Sequence, residues 1–260
     1  MFKRFIQDIK RYFVYSIMAA RAELKAEVAD SYLNWVWWIL DPLCFMLIYT
    51  FIFGYVFNSS EQYFPVYIFI GLSMWTFFSK TAQASVMMVK RNKAIVTKVY
   101  FPKYILLLTR VWVNGFKMMV SFGIVVIMMI VSRIPISWNV LYFIPILLVL
   151  VLFTFGFSCF TMHCGVYVND LNNIVAIVLR MMFYITGIFY NLEKRIPSFG
   201  PMLNRYNPVA FLLSSMRRCL IYQQAPVGTC LLIWTGISIV LTILGIRLIY
   251  KEENSYVKAI

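Results

Sequence analysis

The chain has 260 residues, of which 62% are hydrophobic and 13% charged, and its mean hydropathy is +0.78. This composition excludes an ordinary soluble protein, and because the apolar residues form blocks long enough to cross a bilayer, we expect an all-α integral membrane protein. The net charge of +14 comes from bases that cluster beside the apolar blocks, where they set topology and meet anionic headgroups, so we expect no nucleic-acid partner.

Residues 1–34 form a first segment, in which basic residues are mixed with large apolar ones. Its bases are Lys3, Arg4, Lys10, Arg11, Arg21 and Lys25. The mixture predicts a cytoplasmic amphipathic helix that lies in the membrane interface, and its aromatic residues disfavour the alternative of an ordinary solvated helix. We expect no signal peptide, because the segment has no short apolar core followed by a cleavage site.

Residues 35–260 are predicted to form a transmembrane domain with six spans. The expected spans are residues 35–57, 65–88, 104–131, 140–165, 174–190 and 229–250. Trp37 belongs to an aromatic anchor at the start of the first span, which Asp41 and Pro42 interrupt early. A carboxylate inside a span is costly, so Asp41 should face protein or water and have a basic or backbone partner.

Basic residues also occur inside the later spans. Arg110 and Lys117 lie seven residues apart in the third span, and therefore on one face of a helix. We expect Arg110 to snorkel, whereas Lys117 either snorkels or lines a polar path. Arg180 lies in the short fifth span. The candidate residues for a substrate channel are Arg21, Lys25, Trp37, Asp41, Lys117 and Arg180.

The loop of residues 90–103 joins the second and third spans and holds five basic residues and no acid. Bases in short loops stay on the cytoplasmic side, so this loop should face the cytosol. Its apolar residues are Ile95, Val96, Val99, Tyr100 and Phe101. Their spacing predicts a short amphipathic helix, which Pro102 ends, with exposed apolar side chains on which a cytosolic protein could dock.

Residues 191–228 are rich in proline and contain an apolar stretch, residues 209–216, that Asn207 and Pro208 precede. This stretch is too short to cross a bilayer, which takes about 20 residues. Short segments at membrane depth must be shielded by protein or line an aqueous cavity. We therefore predict a re-entrant helical hairpin on the outer side and, with six spans, a cytoplasmic location for both termini.

No set of residues for catalysis is visible. The one histidine, His163, stands beside Cys164, and two ligands do not close a zinc site. The five cysteines make no metal-binding pattern, and a disulfide between Cys219 and Cys230 is disfavoured. Because the chain also lacks a phosphate-binding loop, we expect no catalytic residue, metal, cofactor or ATP hydrolysis in it. Its aromatic residues can stack on sugar rings, although most should pack or belt the bilayer.

Three short motifs occur in order along the chain. The first comprises Leu24-Lys25, Ser31, Leu33, Trp37, Leu40 and Pro42-Leu43. The second comprises Asn92, Ile95, Lys98 and the run Val99-Tyr100-Phe101-Pro102-Lys103. The third comprises Asn207-Pro208 and Arg217. Together they resemble the membrane (permease) subunits of bacterial type-2 ABC exporters for O-antigen, capsular polysaccharide and teichoic acid.

The resemblance implies a homodimer of six-span subunits bound to two ATPase subunits, which hold ATP and Mg²⁺ and drive a lipid-linked glycan across the bacterial cytoplasmic (inner) membrane. It implies that the N-terminal helix and the loop of residues 90–103 contact the ATPase, with a second contact at Asn169 and Asp170. The re-entrant hairpin with Arg217 would shape the outer exit, and aromatic residues at the dimer seam would line a sugar channel.

Two other interpretations stay open at this point. One is the membrane subunit of a drug or small-lipid exporter from the same superfamily. The other is a membrane scaffold or a glycan-modifying enzyme, which would turn over a lipid-linked sugar without ATP.

Overall fold

The computed structural model describes residues 2–29, 32–57, 61–98 and 101–259, and all regular secondary structure in these ranges is helical. The helices α1 to α12 are Phe2–Val28, Trp37–Tyr49, Phe64–Val86, Met88–Arg91, Lys93–Val96, Tyr104–Val131, Phe143–Tyr167, Leu171–Ile185, Leu192–Arg195, Gly200–Tyr206, Pro208–Leu220 and Gly228–Ala259. A 3-10 turn at Asn34–Val36 precedes α2, a π-helical turn at Thr50–Val56 extends it, and a 3-10 turn at Trp138–Tyr142 precedes α7.

Four helical stretches in the described ranges are long and apolar enough to cross a membrane. They are Asn34–Val56, Tyr104–Val131, Trp138–Tyr167 and Gly228–Glu253, which correspond to the expected first, third, fourth and sixth spans. Helix α3 has the length of a span but is less apolar than these four. Helix α8, with 15 residues, is shorter than the expected fifth span, because the chain turns after Ile185 at Gly187, whose φ is 73°.

Helix α3 lies at the centre of the bundle, in contact with α2, α6, α7, α8 and α11, and most of its side chains are buried. Its polar residues bond to neighbouring helices. Asn114 of α6 donates from Nδ2 to Thr81 Oγ1 at 2.9 Å, and the hydroxyls of Ser85 and Thr161 lie 2.5 Å apart. Polar side chains suit a helix that faces other helices, and these residues explain why α3 is less apolar than the other long helices.

Glycine allows α7 to approach the end of α3 closely. A Cβ atom on Gly165 would overlap the backbone carbonyl oxygen of Val86. Helices in membranes pack through such small residues because the backbones can then come into contact.

Gly165→Ala is expected to destabilise the protein by about 2–3 kcal/mol, the usual cost of forcing extra volume into a packed interface. The matched control is Gly123→Ala on α6, where a new Cβ would meet nothing within 4 Å. The control should be neutral or slightly stabilising, because alanine is the better helix former. Thermal unfolding in detergent measures both variants, and equal midpoints would show that the α3–α7 contact tolerates a methyl group.

Helix α1 packs along α6, and two of its acidic residues pair with the two bases of the third span. Glu23 forms an ion pair with Arg110, and Glu27 forms one with Lys117. The two acids are four residues apart and so face the same side of α1. A carboxylate from the neighbouring helix thus balances the charge of Arg110, and the snorkelling expected for this residue stays a prediction.

Helix α2 continues through Pro42, so the predicted interruption is wrong. Proline fixes φ near the helical value, and close to a helix start it removes few backbone hydrogen bonds. Met46 is the buried residue of the stretch Asn34–Val56. Exposed apolar side chains of this stretch include Phe45, Leu47, Ile48, Phe51 and Tyr55. One subunit therefore leaves most of this helix uncovered.

Helices α9 to α11 occupy residues 191–228, where the sequence predicts a re-entrant hairpin. Helix α11 has 13 residues, most of them buried, and it packs against α3, α7 and the 3-10 turn before α7. Asn139 of that turn donates from Nδ2 to the carbonyl oxygen of Gln223 at 2.6 Å. These short helices thus lie at the end of the bundle opposite to the loop that contains α4 and α5.

Candidate functional site

A cavity of about 480 Å³ opens between α2, α3, α6 and α8. One part of its lining is aromatic: Trp37, Trp38, Phe45, Tyr49, Trp75, Phe77 and Phe183. Another part is polar and uncharged: Ser73, Thr76, Ser79, Asn114 and Ser121. The charged lining residues are Glu27, Asp41, Lys80 and Lys117. Aromatic faces beside hydroxyl and amide groups are suited to a ligand that is apolar on one side and rich in hydroxyls on the other.

Two of the four charges in this cavity are paired with each other. Lys117 donates from Nζ to Glu27 Oε1 at 2.6 Å. Asp41 and Lys80 are exposed, and neither forms a hydrogen bond or ion pair with the part of the chain that the structure describes. The basic or backbone partner predicted for Asp41 is thus not observed there, and its carboxylate instead faces the open cavity.

The indole of Trp38 lines the cavity, and its nitrogen lies beneath the cavity surface. Trp38 Nε1 is buried and lacks a hydrogen-bond partner among the described residues. Leaving a buried donor unpaired costs about 1–3 kcal/mol, so a ligand oxygen that reached this atom would gain more than an ordinary hydrogen bond.

The structure brings together three of the six predicted channel residues: Trp37, Asp41 and Lys117 all line the cavity. Arg180 lies in an adjoining cavity of about 400 Å³ that shares Trp75, Ser79, Lys80 and Phe183 with the first. Arg21 and Lys25 are exposed on α1 and line neither cavity.

Lys80 is the most informative residue that the sequence argument missed. It lines both cavities and is exposed one turn after Thr76 on α3. It is also the one charged residue of the expected span 65–88, and a charge inside a span indicates function. That signal was present in the sequence. Asn114 carried a weaker signal, as an amide inside an apolar run.

A second site joins the basic loop to the turn before α8. Lys90 donates from Nζ to Asn169 Oδ1 at 2.7 Å. Beside it, Gln83 at the end of α3 donates from Nε2 to Asn172 Oδ1 at 2.7 Å. The two segments predicted as ATPase contacts therefore adjoin one another. Asp170, at the start of α8, is exposed.

Within the loop of residues 90–103, helix α5 ends at Val96 and therefore before Pro102, where the expected helix was to end. Asn92 lies between α4 and α5 and donates from Nδ2 to the carbonyl oxygen of Met88 at 2.8 Å, so its side chain satisfies a helix end. Ile95 and Lys98 are exposed. Val99 and Tyr100, like Ser31 of the first motif, lie outside the described residues.

The prediction of exposed apolar anchors is wrong for the end of this loop. Phe101, Pro102 and Lys103 are buried, and Val96 is buried as well. The Lys103 ammonium donates to the carbonyl oxygen of Phe101 at 3.2 Å and lies 5.4 Å from the centre of its ring. These side chains hold the loop against the bundle, because their apolar surface packs into the core.

The residues predicted to shape an outer exit have structural roles here. Asn207 Oδ1 accepts from the backbone N–H groups of Val209 and Ala210, and Pro208 is the first residue of α11, which together make an ordinary helix start. Arg217 is buried and does not line either cavity described above.

The described ranges contain no candidate metal centre. No group of three His, Cys, Asp or Glu residues there could hold a metal ion, and the five cysteines, all described, are free thiols. His163 Nδ1 lies 2.9 Å from the hydroxyl oxygen of Tyr256, so the histidine is tied to the last helix.

Known proteins resemble this chain over most of its length. The family model of the ABC-2 type transporters matches residues 17–221. The O-antigen export system permease protein RfbA of Klebsiella pneumoniae is 28% identical over 246 residues, which are 92% of each chain. RfbA of Myxococcus xanthus is 26% identical over 240 residues, with 92% of each chain covered. The polysialic acid transport protein KpsM of Escherichia coli is 21% identical over 253 residues, covering 90% of this chain and 91% of that one.

Proposed function

Because the chain belongs to the ABC-2 type transporter family, we propose that it is the membrane subunit of an ATP-driven exporter that moves a lipid-linked polysaccharide across the bacterial cytoplasmic membrane. The names of its relatives, which describe O-antigen export and polysialic acid transport, support a polysaccharide of the O-antigen, capsule or teichoic acid type. The chain acts as a transport subunit and leaves ATP hydrolysis to a partner.

The observation that carries this proposal is the cavity between α2, α3, α6 and α8. A glycan needs flat apolar faces for its rings and hydrogen-bonding groups for its hydroxyls, and the cavity offers both. A drug exporter would have less use for a wall of serine, threonine and asparagine. The candidate channel residues are therefore Trp37, Asp41, Lys80 and Lys117, with Arg180 beside them.

The assembly that we propose is a homodimer with two ATPase subunits, which bind ATP and Mg²⁺. The exposed apolar face of α2 supports a contact with a second copy or with lipid. In the proposed topology α3 and α8 are the second and fifth of six spans, residues 191–228 are re-entrant from the outer side, and both termini are cytoplasmic. The five bases of the loop of residues 90–103 favour this orientation.

The proposed ATPase contact consists of Ile95, Lys98, Asn169 and Asp170. All four are exposed, and the bond between Lys90 and Asn169 keeps their two segments together. An apolar side chain with charged neighbours is a common anchor in protein interfaces.

The double variant Ile95→Asp with Lys98→Glu is expected to lower copurification of the ATPase at least about tenfold, because it reverses charge and removes an apolar anchor. Phe101 is unsuited to this test, since a charge at that buried position would disrupt folding. The control is Arg133→Glu, which reverses a charge in the turn after α6 at the opposite end of the bundle. Full copurification with the double variant would contradict the proposed contact.

Export itself is tested in a bacterial host from which the gene has been deleted. Surface polysaccharide should disappear, lipid-linked polymer should accumulate inside the cell, and the wild-type gene should restore the surface polymer. Normal surface polysaccharide in the deletion strain would refute the proposed substrate class.

A further inference from the structure

A cleft of about 320 Å³ lies among α9, α10, α11 and the start of α12, at the end of the bundle opposite to the basic loop. It shares no lining residue with the two cavities described above. The lining residues that matter here are Glu193, Asn204, Arg205, Phe211, Ser215 and Arg218. None of the sequence motifs draws attention to this set.

The charge of the cleft is positive. Arg205 is exposed and Arg218 is half-buried, and neither forms an ion pair with the described part of the chain. The Nη2 atom of Arg218 has one long contact, 3.4 Å, with Gln224 Oε1. The acid that lines the cleft, Glu193, accepts from Asn204 Nδ2 at 2.8 Å. The lining thus carries two positive charges against one negative charge, which favours an anion.

Two buried polar atoms of these lining residues are left without partners. They are Arg218 Nε, a donor, and Asn204 Oδ1, an acceptor, and each lacks a hydrogen bond within the described residues. The bond to Glu193 fixes which way the Asn204 amide points. Because an unsatisfied buried polar atom is costly, the site favours a ligand that both accepts and donates hydrogen bonds.

The remaining lining residues distinguish a sugar from a bare anion. Ser214 and Thr229 supply accessible hydroxyls, whereas Phe211 and Ser215 are buried and form the floor of the cleft. Trp234 donates from Nε1 to the carbonyl oxygen of Arg205 at 3.2 Å, which ties α10 to α12 and holds the cleft in shape. An inorganic anion would bind the arginines but would leave these hydroxyls without a hydrogen-bond partner.

We propose that this cleft binds an acidic sugar unit, with the carboxylate or phosphate of the sugar held by Arg205 and Arg218 and its hydroxyls near Asn204 and Ser214. The inference rests on the proposed function, in which this end of the bundle faces outward, and it assigns a polymer-holding site to the exit side. The headgroup of an anionic lipid carries the same charged group, so the test separates the two sources.

Calorimetric titration of the full-length permease in phosphatidylcholine nanodiscs tests the proposal. The probe is tetragalacturonate, and the matched neutral probe is maltotetraose. We expect the acidic oligosaccharide to bind and the neutral one to bind at least about tenfold more weakly. The variants R205Q and R218Q should each weaken binding of tetragalacturonate at least about tenfold, whereas R195Q, an exposed arginine of α9 outside the cleft, should leave it unchanged.

Four results would overturn the assignment. Equal binding of the two oligosaccharides, or unchanged binding by both R205Q and R218Q, would show that no anion site is present. Displacement by equimolar inorganic phosphate would show an anion site that ignores the sugar. Loss of binding in discs that contain phosphatidylglycerol would assign the cleft to a lipid headgroup. R205Q changes an exposed side chain, so misfolding does not obscure the outcome.

A different experimental result would refute the proposed function. A permease that binds tetragalacturonate but never copurifies with an ATPase would refute ATP-driven export and leave the cleft assignment intact. A permease that assembles and exports polymer but does not bind the acidic probe would refute the cleft assignment alone.

Discussion

Replacing Arg217 by lysine is expected to lower the free energy of unfolding by about 3–5 kcal/mol, because several charge-assisted hydrogen bonds are lost from a buried site. The Arg217 guanidinium donates to three backbone carbonyl oxygens: Nε to Tyr67 at 3.1 Å, Nη1 to Gly187 at 2.8 Å and Nη2 to Ile188 at 2.8 Å. It also lies 3.5 Å from the centre of the Tyr67 ring. A lysine ammonium keeps the charge but cannot reproduce this fork.

The residues that surround Arg217 leave space for its guanidinium group and supply its hydrogen-bond acceptors. A Cβ atom on Gly71 would overlap Nη2 of Arg217, so the glycine makes room for it. The carbonyls of Gly187 and Ile188 belong to the turn after α8, and Tyr67 belongs to α3. Arg217 therefore joins α11 to α3 and to the end of α8, and its loss should loosen all three.

Thermal unfolding in detergent measures this effect, with an expected fall of roughly 10 °C in the midpoint for Arg217→Lys. The control is Arg195→Lys, an exposed arginine at the same end of the bundle, which should keep the wild-type midpoint. A normal midpoint together with lost export would contradict the structural role and would return Arg217 to the substrate path.

Thr76→Trp is expected to lower export at least about tenfold while the protein folds and binds its ATPase normally. Thr76 is exposed on α3 and lines the cavity of about 480 Å³, so an indole at this position would occupy the space between α2 and α6 without displacing a buried neighbour. The measurement is surface polysaccharide in a deletion strain that expresses the variant, together with copurified ATPase.

The matched control for that variant is Val126→Trp on α6, where the side chain is 54% exposed and lines none of the cavities. Export should stay at the wild-type level there, because the indole would lie on the outer surface of the subunit and outside these cavities. If Thr76→Trp also exported normally, the polymer would have to follow a route that avoids this cavity.

Local signals in the sequence were enough to predict the bounds of several helices. Helix α6 begins at Tyr104 and ends at Val131, as the apolar run between two polar turns predicts. The start of α11 follows from Asn207 and Pro208, whose side chains favour a helix N-terminus whatever surrounds them. In both cases the cause lies within a few residues of the effect.

The features that the sequence did not predict depend on residues that are far away in the chain. The role of Arg217 at an outer exit stays a prediction, but its hydrogen bond to the carbonyl oxygen of Tyr67 joins residues that are 150 positions apart in the chain. The local sequence predicts an exposed Phe101 on which a partner could dock, but side chains of other helices bury this residue in the core. The end of α8 depends on one positive φ at Gly187, and a single glycine is a weak signal.

The bonds at the start of α8 have a mechanical consequence. Lys90 donates a hydrogen bond to Asn169, and Gln83 donates one to Asn172. Asn172 lies in the first turn of α8, and the last turns of the same helix place Phe183 in the cavity lining. A 15-residue helix is a stiff rod about 22 Å long. A displacement of the loop of residues 90–103 would therefore tilt α8. The C-terminal end of the helix would then widen or narrow the part of the cavity that aromatic side chains line.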